Sequence, residues 1–178
     1  MRIIGGKYKG HILKFPKGLN ARPTTNLAKE GLFNILQSRF VLEDISVLDL
    51  FTGTGNIAFE FCSRGASEVL SIDNQFRSIR YIKEQSKKLD LNIKPYKIDA
   101  FKFLERCSTK FDLIFADPPY HLERSKEIPE MVFSKNMLNE NGLLIIEHGK
   151  EINFNNSVNF IEQRTYSSVN FSFFISKK

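Results

Sequence analysis

The sequence predicts an α/β fold, a three-layer sandwich around one mostly parallel sheet. Two patterns carry that expectation. From Ser46 onward the chain repeats strand, turn and helix, as parallel strands covered on both faces do. Beyond residue 150 the alternation stops, and two strand-like runs follow with no helix between them, which fits an antiparallel hairpin closing the sheet.

Residues 2–15 alternate around Gly5-Gly6 and Gly10 and predict a short β-hairpin carrying Lys7, Lys9 and His11. Residues 16–24, with Pro16, Gly18 and Pro23, predict a loop. Thr24 or Thr25 can cap a helix running to about Arg39, with Leu27, Gly31 or Leu32, Ile35 and Leu36 on its apolar face. The first core strand is 46–51, and its helix runs from about Asn56 to Arg64 and stops at Gly65. A second strand, 68–73, leads to a helix over 75–89 with Phe76, Ile79, Ile82 and Leu89 apolar. The third strand, 93–98, holds Pro95, which marks a sheet edge. A short helix at 100–106, a strand at 111–116 and a helix in much of 123–138 follow. Asn141-Gly142 predicts a turn before the strand Leu143–Glu147, and the runs 158–165 and 169–176 bring the strands to seven.

A chain of 178 residues suits one domain, 1–178, with a real core. Within it, 1–40 is a basic hairpin-and-helix extension and 41–178 is the core. No apolar run approaches the ~20 residues of a membrane span, and the N-terminus lacks the apolar stretch of a secretory signal. Cys62 and Cys107, both placed in predicted helices, imply a reducing compartment without a disulfide framework. Two thiols are too few for a four-ligand structural zinc. A cytoplasmic monomer without metal or membrane attachment is expected.

Net charge is +6, and its distribution says more than its total. Residues 1–30 hold seven Lys/Arg (Arg2, Lys7, Lys9, Lys14, Lys17, Arg22, Lys29) against one acid, Glu30. The remaining residues hold 19 of each sign, so the whole excess lies in the N-terminal arm. A basic arm on a neutral body suits a polyanion such as nucleic acid, with Arg2, Lys7, Lys9, Arg22 and Thr24 as candidate RNA contacts. Arg22 and Thr24 could equally line the mouth of an active site.

In open α/β sheets, ligands bind beyond the carboxyl ends of the strands. Asp49-Leu50-Phe51-Thr52-Gly53-Thr54-Gly55 forms such an end. Gly53 and Gly55 permit tight turning and close approach, but no third glycine arrives at the spacing of a pyrophosphate loop. Asp73 ends the next strand, about 20 residues on, where an acid can accept from ribose hydroxyls. Asp99 ends the third strand and could accept from an adenine amine, with Ala100 and Phe101 lining the base pocket. Asp73 and Asp99 could also cap the helices that follow them. Acids without a phosphate cradle favour a cationic, phosphate-free nucleoside, and S-adenosylmethionine fits that description.

Asp117-Pro118-Pro119-Tyr120 ends the fourth strand. An amine on a nucleobase is a poor nucleophile, because its lone pair is delocalised into the ring. Hydrogen bonds from its two protons to the Asp117 carboxylate and the Pro118 carbonyl would return that pair to nitrogen. The prolines fix φ and hold the carbonyl in place. Tyr120 offers a face for a base extruded from its stack, a contact worth ~1–3 kcal/mol.

At these residues the chain resembles the class I methyltransferases, and more specifically the RsmD-like 16S rRNA guanine-N2 methyltransferase family. Arg2-Ile3-Ile4-Gly5-Gly6-Lys7-Tyr8-Lys9-Gly10 is similar to that family's opening, and Arg22-Pro23-Thr24-Thr25 with Lys29-Glu30-Gly31-Leu32-Phe33-Asn34 to its Arg-Pro-Thr segment and first helix. Asp49 to Gly55, Ser63-Arg64-Gly65-Ala66 and Asp117 to Tyr120 resemble its donor loop, following helix and acceptor motif. Lys29 stands where the family often has Arg, and Asp73 where Glu is common. The resemblance implies a Rossmann-like methyltransferase that uses S-adenosylmethionine on a guanine of the small ribosomal subunit. Three other readings compete: an amino-methyltransferase acting on DNA adenine or protein glutamine, a non-catalytic RNA-binding assembly module and, more distantly, a dinucleotide-dependent oxidoreductase.

Overall fold

A computed structural model describes residues 1–15 and 26–176. The predicted loop at 16–24, the capping threonines, and the candidate contacts Arg22 and Thr24 lie outside the described residues.

The elements in chain order are α1 (Asn26–Arg39), β1 (Ser46–Leu50), α2 (Asn56–Ser63), β2 (Glu68–Asp73), α3 (Phe76–Lys88), β3 (Ile93–Lys97), α4 (Ala100–Arg106), β4 (Phe111–Ala116), α5 (Ile128–Ser134), β5 (Leu138–His148), β6 (Phe160–Tyr166) and β7 (Val169–Ile175). The seven strands form one sheet in the order β3-β2-β1-β4-β5-β7-β6. Strands β1 to β5 pair in parallel, while β7 runs antiparallel to both β5 and β6. Pro95 lies on β3, an edge strand, where a missing N–H costs the ladder nothing.

Strand side chains alternate between the two faces, and each face has its own core. Val47, Val69, Leu113, Phe115, Ile145 and Phe171 pack with α1, α2, α3 and Ile3 and Leu13 of the arm. Leu48, Leu50, Ile72, Ile114, Leu144 and Phe174 pack with α4 and α5 on the other face. No helix among the described residues is long and apolar enough to cross a membrane.

Six local expectations change. The N-terminal hairpin shrinks to a single bridge, Arg2 with Ile12, supported by bonds from Ile3 N to His11 O (3.0 Å) and Leu13 N to Met1 O (2.9 Å). Its turn spends its hydrogen bonds elsewhere: Lys7 N donates to Ser63 O (2.7 Å) and Tyr8 N to Ser63 Oγ (3.0 Å). Helix α1 is rotated from its predicted phase. Leu27 is 67% exposed, while Ala28, Lys29, Leu32, Phe33 and Leu36 face inward. The predicted helix over 123–138 divides into a 3₁₀ segment, Glu123–Glu127, and α5, because Pro129 near the start of α5 has no N–H to continue a helix from 123. Finally, β5 begins before Asn141-Gly142. Leu138 pairs with Phe111 and Leu143 with Leu113, so residues 139–142 form an irregularity within the strand, where Asn139 donates to Asp112 (2.7 Å). Phe76, counted as an apolar helix position, is 62% exposed, and Cys107 follows α4 instead of lying in it.

Candidate functional site

The strand order reverses between β1 and β4, where a doubly wound sheet opens a crevice. Leu50 pairs with Ala116, and Asp117 N donates to Leu50 O (3.3 Å), so the two strand tips lie side by side. A cleft of about 590 Å³ opens there. It is lined by Asp49, Phe51, Gly53 and Thr54 from the first turn and by Asp73, Asp99, Ala100 and Phe101 from the next two strand ends. Asp117, Pro118, Pro119 and Tyr120 close its other side.

The β1–α2 turn is held in an unusual backbone path. Phe51 (φ 59°), Gly53 (φ 53°) and Gly55 (φ 76°) all have positive φ. Gly55 does not line the cleft. It is the N-cap of α2, and a Cβ there would lie 2.9 Å from Ile82 Cγ1. Its role is therefore to let the turn close against α3, behind the cleft wall.

Asp49 sits on the α2 face of β1 and is 1% exposed. Thr52 Oγ1 donates to it, and the Ala58 backbone N–H also favours its charged form. Burial pushes its carboxyl up to about 7, and the nearby Asp73 carboxylate adds to the rise against those two groups. Its folded pKa lies above the unfolded value, so the folded chain holds a proton that the unfolded chain has released. This contribution to stability is full below about pH 4 and is lost as pH rises to about 7. Asp49→Asn is expected to lack this loss, so its Tm advantage over the parent should grow between pH 5 and 8 in melts of the ligand-free protein. A constant difference across that range would contradict a titrating Asp49.

Asp73 is both cleft wall and helix anchor. Its Oδ2 accepts from Gly53 N (2.8 Å) and its Oδ1 from Gln75 N (2.8 Å), which ties the β1 turn to the start of α3. Each carboxylate oxygen has a further lone pair. Asp99 likewise caps α4, with Lys102 N donating to Oδ1 (3.0 Å).

Sequence reasoning missed several lining groups. Tyr120 Oη donates to Glu147 Oε1 (3.2 Å) from the end of β5. A Cβ at Gly149 would lie 3.1 Å from Tyr120 Cδ2, so a side chain there would press on the ring. Arg124 places its guanidinium 4.2 Å from the Phe101 ring centroid, and Phe51 meets the same ring edge-on at 6.0 Å. The carboxyl-end rule could have found Glu147, which ends a core strand; nothing local in the sequence marks Arg124.

Lys29 was also missed, as a buried charge. Its Nζ donates to Arg2 O (2.7 Å) and Asn56 Oδ1 (2.9 Å) and pairs with Glu60 Oε2 (3.1 Å); Lys29 and Glu60 are fully buried. Glu60 also accepts from Ile4 N (2.9 Å) and Arg64 Nε (2.8 Å). The cluster binds the arm to α1 and α2, and Asn56 carries it to the cleft wall. Of the candidate RNA contacts, Arg2, Lys7 and Lys9 are exposed, and none of these three lines the cleft. Among the described residues, no group of three or more His, Cys, Asp or Glu side chains could hold a metal.

Comparison with known proteins places this architecture among relatives. The family model described as Conserved hypothetical protein 95 matches residues 1–175. The Buchnera aphidicola protein named Ribosomal RNA small subunit methyltransferase D is 30% identical over 154 residues, covering 86% of this chain and 78% of that one. The solved structure of Escherichia coli yhhF superimposes with a TM-score of 0.85 at 27% identity over 98% of this chain and 97% of its own. The fold also matches the Thermus thermophilus 16S rRNA N2 G1207 methyltransferase RsmC, solved with AdoMet and guanosine, at a TM-score of 0.74 and 17% identity over 90% of this chain and 46% of that one.

Proposed function

The chain belongs to the Conserved hypothetical protein 95 family, and from that premise we propose that it methylates the exocyclic N2 amine of a guanine in 16S rRNA with S-adenosylmethionine. The observation that carries the reading is the shared cleft, lined by both the glycine turn of β1 and the Asp117 motif of β4. A relative named for small-subunit rRNA methylation and a fold shared with a guanine-N2 enzyme support the target.

The residues present fit this donor. The cleft joins Asp49, Asp73 and Asp99 to the Phe51 and Phe101 rings. Asp49, Thr54 and the Phe51–Gly53 backbone would hold its amino-acid end, Asp73 its ribose, and Asp99, Ala100 and Phe101 its base. When bound, it supplies a methyl group on an electrophilic sulfonium. A cation in this cleft favours ionised Asp49 and expels its proton. Donor affinity is therefore expected to rise between pH 6 and 8 in the parent and to stay flat in Asp49→Asn, measured by calorimetry.

On the acceptor side, Asp117 and the Pro118 carbonyl accept hydrogen bonds from the two N–H groups of the base amine and concentrate its lone pair on nitrogen. Pro119 keeps the carbonyl in place, and Tyr120, oriented by Glu147 and given room by Gly149, stacks on the base. These groups act by position and preorganised charge.

The deciding experiment offers 16S rRNA, small-subunit particles, duplex DNA and a release factor to the enzyme with labelled donor. Label in rRNA recovered as N2-methylguanosine is the expected result. Label recovered as methyladenine in DNA or as methylglutamine would move the activity to those substrates. No donor binding would leave a non-catalytic RNA-binding module.

A further inference from the structure

The sequence places the excess charge in the arm, but the fold extends it. Helix α3 carries Arg77, Arg80, Lys83, Lys87 and Lys88 against one acid, Glu84, and all are exposed. At 3.6 residues per turn these cations fall on one side of the helix, opposite Ile79 and Ile82, which pack inward. Among the described residues, Arg80 alone of the five pairs with a carboxylate, that of Glu84 at 2.8 Å. Residues 1–30 and α3 together hold 12 of the 26 Lys/Arg and 2 of the 20 Asp/Glu, a charge of +10, which leaves −4 on the rest of the chain.

The two basic elements are joined in space. Tyr8 Oη donates to Leu89 O, so the arm, with Lys7 and Lys9 on either side of Tyr8, docks on the C-terminal end of α3 beside Lys87 and Lys88. The opposite end of α3 lies at the cleft, where Asn74 and Gln75 line the wall. There Phe76 is exposed on the same side as the cations, with Lys97 Nζ 6.0 Å from its ring centroid. Thirteen helical residues span about 20 Å, long enough to follow several phosphates.

We propose that the outer face of α3 is a second RNA-binding surface, a phosphate track that runs from the N-terminal arm to the mouth of the cleft and ends on Phe76 and Lys97. This inference rests on the proposed rRNA substrate. The cations neutralise backbone phosphates, and Phe76 offers a stacking face to an unpaired base next to the cleft.

The test compares two variants of equal charge loss. Arg77→Ala/Lys83→Ala/Lys87→Ala removes track cations; Arg106→Ala/Lys110→Ala/Lys135→Ala removes exposed cations from the end of α4, the following turn and the end of α5. Binding to 16S rRNA is titrated from low to high salt, with donor affinity measured alongside. The track variant is expected to bind RNA about tenfold more weakly near 0.1 M salt, with the slope of log K against log salt shallower by about 2 to 3, at ~0.7–0.9 per lost phosphate contact. Donor affinity should match the parent, and the second variant should keep the parental slope. An unchanged track variant, or equal losses in both variants, would overturn the track while leaving the enzyme reading intact. A parent that binds no RNA would remove the proposed function and the track together.

Discussion

Asp117→Ala is expected to lower the rate of RNA methylation by ~10²–10³ and to leave donor affinity near that of the parent. The size is that of removing one preorganised polar group aimed at the reacting centre. The carboxylate stands at the tip of β4, where the main chain is held by the bond from Asp117 N to Leu50 O. Substitution removes an acceptor and keeps that main-chain bond. Asp117→Asn keeps a carbonyl oxygen in the same place and should lose less than Asp117→Ala. Single-turnover rates with saturating donor, beside calorimetric donor affinity, read the two effects separately. Parental turnover in Asp117→Ala would falsify the assignment of the amine-holding role.

The second large effect falls on stability. Lys29→Met strips the buried Glu60 of one partner and leaves Arg2 O and Asn56 Oδ1 without their donor. Breaking a buried pair from one side costs about 3 kcal/mol or more, and Tm should fall by roughly 10 °C in a chain of this size. Arg64 keeps its bond to Glu60 and limits the loss. Lys29→Arg retains the charge and should recover most of it, while Lys29→Met/Glu60→Met exchanges charges for apolar groups and should melt above Lys29→Met alone. A Lys29→Met protein that melts within about 2 °C of the parent would show that the cluster contributes little.

Burying these charges has a consequence beyond stability. Asn56 is the first residue of α2 and lines the cleft, while Arg2 belongs to the arm, and Lys29 bonds to both. The arm and the β1–α2 turn are thus fixed in one frame. The same logic orders the far wall, where buried His148 holds Ser172 Oγ (2.8 Å) through Nε2 and Gly149 O (2.8 Å) through Nδ1, beside the glycine that admits Tyr120. Burial keeps the imidazole pKa low, so it acts there as a neutral bridge.

Strands β1, β2 and β4 were legible because they are short buried runs ended by glycine or acid, and strand ends are where such sheets bind ligands. The same rule drew Asp73, Asp99 and Asp117 together before any contact was known. Phase was harder to read. In α1 the periodicity counted Leu27 as core and did not include Lys29, since hydrophobicity alone cannot anticipate a lysine buried against Glu60, 31 residues away in the sequence. Likewise, Phe76 reads as apolar helix packing, yet it stands in solvent at the cleft mouth.

By itself the sequence determined the alternation of elements, the two motif-bearing strand tips and the family, because these depend on local periodicity and on contiguous residues. Tertiary structure alone decided which charges are buried together, that Glu147 and Gly149 position Tyr120, and that the arm continues onto α3. Those relations join residues far apart in the chain, and their energies arise only when folding removes water from between them.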